Sequence, residues 1–117
     1  MTAAEAPRTG DSVLVSAEHR GDVVVLRLTG GLDMASAPDL LTRIDGLIAA
    51  GDHRVLVDLT RLSFCDSAGL NAFIRGDRRC AREGGWLRLT GAHGHVARVI
   101  ALSGLTDVLG YRPDVAS

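Results

Sequence analysis

The stretch RVLVDLTRLSFCDSAGLNAF, residues 54–73, contains a strand pattern followed by the start of a helix. Its first part, RVLVDL (54–59), is short and almost continuously apolar, which is typical of a central strand buried on both faces. Its second part places a carboxylate, a hydroxyl and a glycine within residues 66–69, where a helical pattern begins. The stretch therefore predicts a buried strand that leads into a helix, as in an α/β fold.

The helix that starts in this stretch is predicted to run from Ser67 to about Glu83, where two glycines follow. Its four arginines are predicted to form a solvated face. The residues predicted to face the core are Leu70, Phe73, Ile74, Cys80 and Ala81. Asp77 falls where this pattern expects an apolar residue, so the apolar stripe is interrupted there.

The residues before this stretch predict a hairpin and one helix. Two β-branched runs, at 13–16 and 22–30, are separated by a short polar segment, which indicates antiparallel strands. Residues 36–51 carry apolar side chains at helical spacing. Ser36 with Asp39 three positions later forms a variant of the capping box, which marks the start of this helix.

The residues after the stretch predict a strand at 86–91, a helix at 95–102 and a short helical piece at 105–110. The element order is then ββαβαβαα. Strands that alternate with helices favour parallel pairing, so we expect an α/β fold with a small mixed β-sheet and helices packed against it. We expect one domain over residues 12–113, preceded by a flexible tail at 1–11 and followed by a tail at 114–117.

Composition narrows the classes of function. The 117 residues include 46% hydrophobic but only 3% aromatic side chains, which suits an aliphatic core. Thirteen basic and fourteen acidic side chains leave a net charge of −1, so the charge offers no general attraction to nucleic acid or to anionic membranes. No signal peptide or membrane-spanning run is apparent, which predicts a cytoplasmic protein. Without an export signal, Cys65 and Cys80 are predicted to be buried thiols.

Residues that could carry catalysis or bind a cofactor have weak patterns. Ser67 lies at a strand-to-helix turn, but Cys65 stands where a nucleophile elbow needs glycine. His93 and His95 make half a metal site at best, and we expect them in a polar loop. His19 and His53 fall in predicted turns and are expected to be solvated. No phosphate-binding loop is present, so no cofactor or metal is predicted.

Two interpretations of Ser67 follow from the sequence. In one, Ser67 caps the helix and Asp66 suits the positive end of the helix dipole. In the other, Ser67 is a functional residue, because Gly69 leaves the helix start open to a large partner. A serine at a helix N-terminus is also a favourable place to carry a phosphate.

Residues 58–74, DLTRLSFCDSAGLNAFI, resemble the signature of the STAS domain in its bacterial form, the anti-sigma factor antagonist. VVVLRLTGGLDMASAPDLLTRI (23–44) is similar to the family's second strand, turn and first helix. The segments GGWLRLTG and VARVIALSGLTDVL are similar to its late strand and C-terminal helices. The resemblance thus extends from about residue 12 onward and implies a single STAS-like domain.

The resemblance implies a function and a site. Members of this family bind an anti-sigma factor that is also an ATP-dependent serine kinase, and thereby release a sigma factor. The kinase phosphorylates the serine after the motif aspartate, which ends binding, and a serine phosphatase reverses the modification. By position, Ser67 is the phosphate acceptor and Asp66 is the motif aspartate. Asp33 matches the aspartate of a turn near the partner surface, and the protein is not expected to be an enzyme.

Three departures from the family pattern bear on the partner surface. Gly31 replaces a usual glutamate, Ala68 a common serine or threonine, and Asn71 a frequent glycine. The predicted partner-binding residues are Asp33, Asp66, Ser67, Ala68, Gly69 and Asn71. Two alternatives stay open: a STAS module without a switch, serving as a structural subunit of a lipid-transport or stress assembly, and a small serine hydrolase.

Overall fold

The computed structural model describes residues 13–105, which form four strands and three helices. In chain order they are β1 (Val13–Arg20), β2 (Val23–Leu32), α1 (Ala37–Ala49), β3 (Arg54–Cys65), α2 (Ser67–Arg82), β4 (Trp86–Thr90) and α3 (Gly94–Ser103). The predicted order is confirmed as far as α3. The tails predicted at 1–11 and 114–117, and nearly all of the helical piece predicted at 105–110, lie outside the described residues.

The four strands form one mixed sheet in the order β1-β2-β3-β4. β1 and β2 are antiparallel, whereas β2 with β3 and β3 with β4 are parallel, which confirms the predicted small mixed sheet. In the register, Val24 pairs with Val55 and Val55 pairs with Leu87. These buried side chains therefore line up across one face of the sheet.

α1 and α2 contact each other, and α2 packs on β3 and β4. The core is aliphatic apart from one aromatic ring, as the composition predicts. Its fully buried large side chains are Val24, Leu26, Leu28, Leu32, Leu40, Ile44, Leu59, Leu62, Phe73, Leu87, Leu89 and Ile100. The inward face of α1 is confirmed by the burial of Ala37, Leu40, Leu41 and Ile44.

α2 lies close to its neighbours because several of the residues it buries are small. A Cβ at Gly76 would stand 2.9 Å from Cδ1 of Ile44 and 2.9 Å from Cδ1 of Leu87. Ala81, predicted to face the core, is exposed, so that part of the predicted stripe is wrong. Asp77 interrupts the stripe because its Oδ1 accepts a hydrogen bond of 2.9 Å from the backbone N–H of Leu87. This bond fastens α2 to β4.

β3 differs from its prediction in length and burial. It continues beyond residue 59 to Cys65, with two shifts of register against β2 where polar residues interrupt the apolar run. At the first shift, Asp58 Oδ1 accepts a hydrogen bond of 2.9 Å from the N–H of Thr60. Leu56 and Asp58 are only half-buried, so the prediction of burial on both faces is wrong.

Cys65 and Cys80 are buried free thiols, as predicted. Burial raises the pKa of the Cys65 thiol to about 12 and that of Cys80 to about 11, with the charges of Asp66 and Asp77 as smaller causes. Both thiols are therefore protonated at neutral pH. Within residues 13–105, no cluster of histidine, cysteine or acidic side chains could hold a metal ion.

Two histidines were predicted to be solvated. His19 is exposed, and its Nε2 lies 2.9 Å from Asp52 Oδ2. His53 is half-buried, and its Nδ1 is buried without a hydrogen-bond partner in the described part of the chain, so that prediction is wrong. The cause is tertiary packing, since the Trp86 N–H donates to the His53 carbonyl at 2.9 Å and brings β4 against this turn. No helix within residues 13–105 is long and apolar enough to cross a membrane.

Candidate functional site

The carboxyl ends of β2 and β3 bring two distant motifs together. Leu32 pairs with Cys65 at the ends of these parallel strands, and the N–H of Asp66 donates to the Leu32 carbonyl at 3.2 Å. Each strand is followed at once by an aspartate, Asp33 or Asp66. The two carboxylates consequently lie at the same edge of the sheet, where α1 and α2 also begin.

Asp66 is the residue that caps α2. Its backbone is extended, with φ −105° and ψ −171°, and its Oδ1 accepts a hydrogen bond of 3.0 Å from the N–H of Gly69. The prediction that Ser67 is the cap is therefore wrong, because Ser67 is already the first residue of the helix. The Ser67 side chain is exposed, and its hydroxyl has no hydrogen-bond partner among residues 13–105.

Gly69 is buried under the end of β2. A Cβ at this position would stand 2.7 Å from Cys65 Sγ and 2.9 Å from the Leu32 carbonyl oxygen. These distances are shorter than real Cβ contacts, and the carbonyl oxygen belongs to the backbone and cannot rotate away. The interpretation of Gly69 as open space for a partner is therefore wrong. The absence of a side chain at Gly69 allows the first turn of α2 to pack against the end of β2.

Asp33 organises the turn between β2 and α1. Its Oδ1 accepts hydrogen bonds from the N–H of Ala35 at 2.9 Å and from the N–H of Ser36 at 3.1 Å. The Ser36 hydroxyl turns back and donates to the Gly31 carbonyl at 3.1 Å. The predicted capping box between Ser36 and Asp39 is therefore not formed, since Ser36 makes no side-chain cap hydrogen bond to α1.

Ala68 and Asn71 lie on the side of α2 that faces α1. Together with residues of α1 they line a groove of about 400 Å³ that we call the α1–α2 groove. Its lining residues include Met34, Pro38, Leu41, Ala68, Asn71 and Arg75. Asn71 is exposed and Ala68 is half-buried, so both side chains are accessible from the groove.

Two exposed apolar side chains near the site are not among the residues predicted from the sequence. Met34 follows Asp33 in the turn and is 78% exposed. Phe64 lies in the last part of β3 and is 42% exposed, with its ring stacked on His95 at a centroid distance of 5.4 Å. A large apolar residue in a short strand-to-helix turn is the signal that could have identified Met34, because such turns are normally polar.

The arrangement around Ser67 shows no hydrogen-bonded general base among residues 13–105. A serine nucleophile needs a base within hydrogen-bond reach. His93 Nε2 lies 2.6 Å from the Thr60 carbonyl oxygen, and His95 stacks on Phe64. In the part of the chain that the structure describes, no histidine forms a hydrogen bond with Ser67. The site is instead an exposed hydroxyl at a helix start, with two carboxylates at the same edge of the sheet.

The sequence of the chain is similar to known proteins. The sequence model of a family described as "Mlab, STAS domain" matches residues 15–110. The chain is 26% identical over 99 residues to the anti-sigma-B factor antagonist of Bacillus subtilis (strain 168), covering 84% of this chain and 89% of the relative.

The fold of the chain is also similar to solved structures of anti-sigma factor antagonists. The chain superposes on an anti-sigma factor antagonist from Mycobacterium paratuberculosis with a TM-score of 0.79 and 27% identity, covering 97% of this chain and 93% of that structure. For the anti-sigma factor antagonist SpoIIAA in its unphosphorylated form, the TM-score is 0.74 and the identity 25%, with coverage of 88% and 91%.

Proposed function

The chain belongs to the STAS-domain family, and from this premise we propose that it is an anti-sigma factor antagonist switched by phosphorylation of Ser67. In this proposal it works in the cytoplasm and binds an anti-sigma factor that is also an ATP-dependent serine kinase. Binding releases a sigma factor. The kinase ends the interaction by transferring phosphate to Ser67, and a serine phosphatase restores binding. The protein itself catalyses no reaction.

The single observation that supports this proposal best is the state of the Ser67 side chain. It is exposed at the first position of α2, while Asp66 satisfies the cap and leaves the hydroxyl without a partner in the described region. A hydroxyl with no structural task is free to enter a kinase active site. In addition, relatives that match most of the chain are named anti-sigma factor antagonists.

Electrostatics explain how phosphate would separate the complex without unfolding the domain. Phosphorylation adds about 1.5 to 2 negative charges at neutral pH. The first N–H groups of a helix lack intrahelical acceptors and favour an anion, and in α2 the Asp66 carboxylate takes up one of them, that of Gly69, so we expect the folded domain to accommodate the phosphate. In a complex formed at this edge the phosphate would be removed from water, and this desolvation cost weakens the complex.

Asp33, Asp66, Ala68 and Asn71 are proposed to contact the same partner. Asp33 uses Oδ1 within its own turn, so its other carboxylate oxygen remains for a donor on the partner. Asp66 likewise uses Oδ1 for the cap. The two aspartates thus hold their helices in place and present negative charge at one edge, which suits basic or donor groups on the kinase.

Kinase assays on purified proteins test the proposal. Each anti-sigma serine kinase encoded in the source genome is incubated with the protein and γ-labelled ATP, and the modified peptide is identified by mass spectrometry. We expect one of these kinases to phosphorylate the parent at Ser67 and to leave Ser67→Ala unmodified. Ser63→Ala is the matched control, because Ser63 is also exposed but donates its hydroxyl to the Gly30 carbonyl at 2.9 Å.

Two results would contradict the proposal in different ways. Phosphate transfer to Ser67→Ala would show that the acceptor lies elsewhere. If no kinase modifies the parent and the protein instead purifies as a constant component of a larger complex, the alternative of a STAS module without a switch is correct.

A further inference from the structure

The α1–α2 groove leads away from the Ser67 edge along both helices. Met34 and Ala68 lie at its start, next in sequence to Asp33 and Ser67. Arg75 and Arg79 line its far end, one and two turns further along α2 than Asn71. With a rise of about 1.5 Å per residue, Arg75 is about 12 Å along the helix from Ser67. The far end is therefore separate from the site of the proposed phosphorylation.

The start of the groove is apolar and lined by small side chains. Met34 is 78% exposed, which leaves a flexible thioether in contact with water. Ala37, Ala68 and Ala72 line the groove beside it and take up little of its volume. Methionine adapts its shape to different apolar partners, so this part of the groove suits an inserted apolar side chain.

The far end of the groove carries one positive charge that no acidic side chain among residues 13–105 pairs with. Arg79 Nη1 lies 2.9 Å from Oδ1 and 2.8 Å from Oδ2 of Asp45, so these two opposite charges neutralise each other. Arg75 is exposed, and it has no ion-pair partner among residues 13–105. Two guanidinium groups and one carboxylate in the lining leave one net positive charge, which is complementary to a carboxylate.

We propose that the α1–α2 groove determines which anti-sigma factor this protein binds. The bound kinase inserts an apolar side chain beside Met34 and Ala68 and places an aspartate or glutamate against Arg75. This inference rests on the proposed function, since the occupant is the same kinase that modifies Ser67. Arg75 is a specificity-determining residue and takes no part in phosphate transfer.

Titration calorimetry with Arg75→Glu tests the proposal. The ligand is the kinase that phosphorylates Ser67 in the assay above, loaded with a non-hydrolysable ATP analogue so that no phosphate is transferred. We expect the charge reversal to weaken binding about tenfold, whereas Arg82→Glu changes binding less than about twofold. Arg82 is the matched control, because it is an exposed arginine of the same helix that does not line the groove.

Kinetics separate binding from chemistry. With ATP present, Arg75→Glu is expected to raise the KM for this protein substrate about tenfold and to leave kcat unchanged, because Ser67 is untouched. Met34→Ala is expected to act in the same direction with a smaller effect. Because Arg75 and Met34 are exposed, both variants should fold, and equal melting temperatures check this.

The outcomes distinguish failure of the groove from failure of the function. If a kinase modifies Ser67 and binds Arg75→Glu as tightly as the parent, the groove proposal is overturned and the proposed function stands. If no kinase binds the parent, both are overturned. Self-association of the parent that Arg75→Glu abolishes would assign the groove to a second copy of this chain and would also overturn the proposal.

Discussion

Asp66 and Ser67 are adjacent residues with different tasks. The Asp66 carboxylate fills the cap of α2, whereas the neighbouring hydroxyl is exposed and unpaired within residues 13–105. From the sequence alone, Asp66 and Ser67 are both favourable N-cap residues, since aspartate and serine cap almost equally well. The backbone decides between them, because only the residue with extended backbone angles before the first helical turn can reach the free N–H groups.

This division predicts different effects on stability for two alanine variants. Asp66→Ala is expected to lower the free energy of unfolding by about 1 kcal/mol through loss of the cap. Ser67→Ala is expected to change it by less than about 0.5 kcal/mol, because no hydrogen bond is lost and alanine favours the helix. Urea unfolding followed by circular dichroism measures both. A larger loss for Ser67→Ala than for Asp66→Ala would restore the interpretation of Ser67 as the cap.

At the scale of elements, α2 is positioned by close contacts at two glycines, where a side chain would not fit. Gly69 lies against the end of β2, and Gly76 lies between Ile44 of α1 and Leu87 of β4. Asp77 then ties the helix to the backbone of β4. This close packing determines where α2 begins relative to the sheet. It therefore also determines where Ser67 lies.

Two glycine-to-alanine substitutions test this role. Gly69→Ala gains about 1 kcal/mol of helix propensity but forces a Cβ into the Leu32 carbonyl and Cys65, which costs about 1–3 kcal/mol. Because the carbonyl cannot rotate away, we expect a net loss of stability of up to about 2 kcal/mol. Gly46→Ala is the matched control in α1, where a Cβ meets nothing within 4 Å, and it should gain about 0.5–1 kcal/mol.

Thermal unfolding of the two variants gives the measurement. A stabilised Gly69→Ala would show that the end of β2 yields easily. It would also show that the position of α2 does not depend on this contact. Loss of kinase binding by Gly69→Ala without loss of stability would point back to a partner that approaches this residue.

At the scale of the whole molecule, the buried thiols make stability depend on alkaline pH. The folded pKa values, about 12 for Cys65 and about 11 for Cys80, lie above the value of about 8.5 in an unfolded chain. Between these values the folded protein holds protons that the unfolded chain releases. The stabilisation is therefore complete below about pH 8.5 and is lost as the pH rises toward the folded values.

We expect the free energy of unfolding to fall as the pH rises from about 8.5 to 10.5, by up to about 1.4 kcal/mol per pH unit for each thiol. The sequence suits this measurement, because it contains no lysine and only one tyrosine. A variant with Cys65→Ala and Cys80→Ala should be less stable at neutral pH but should lose this alkaline slope. A flat profile for the parent would contradict the prediction.

Much of the fold follows from local pattern. Alternation with a period of two and apolar spacing near 3.6 predict strands and helices without any distant contact, and these patterns located the hairpin, α1 and α3. The first strand is longer than predicted, because β1 continues to Arg20 through most of the segment predicted to separate the two strands. The glycines after α1, α2 and α3 marked the helix ends for a related reason, since each adopts positive φ there. The resemblance of residues 58–74 to the STAS signature led to the family, and the match over residues 15–110 confirms it.

Tertiary structure decided the features that depend on which elements become neighbours. The pairing of Leu32 with Cys65 brings Asp33 and Asp66 to one edge, and no local pattern contains that pairing. Gly69 is a packing residue only because the end of β2 lies above it, and Asp77 is accommodated only because β4 offers an N–H. Sequence by itself determined the order of the elements and the residues of the motif, because both depend on neighbours along the chain. The cap, the buried glycines and the α1–α2 groove were decided by contacts between residues far apart in sequence, which periodicity does not encode.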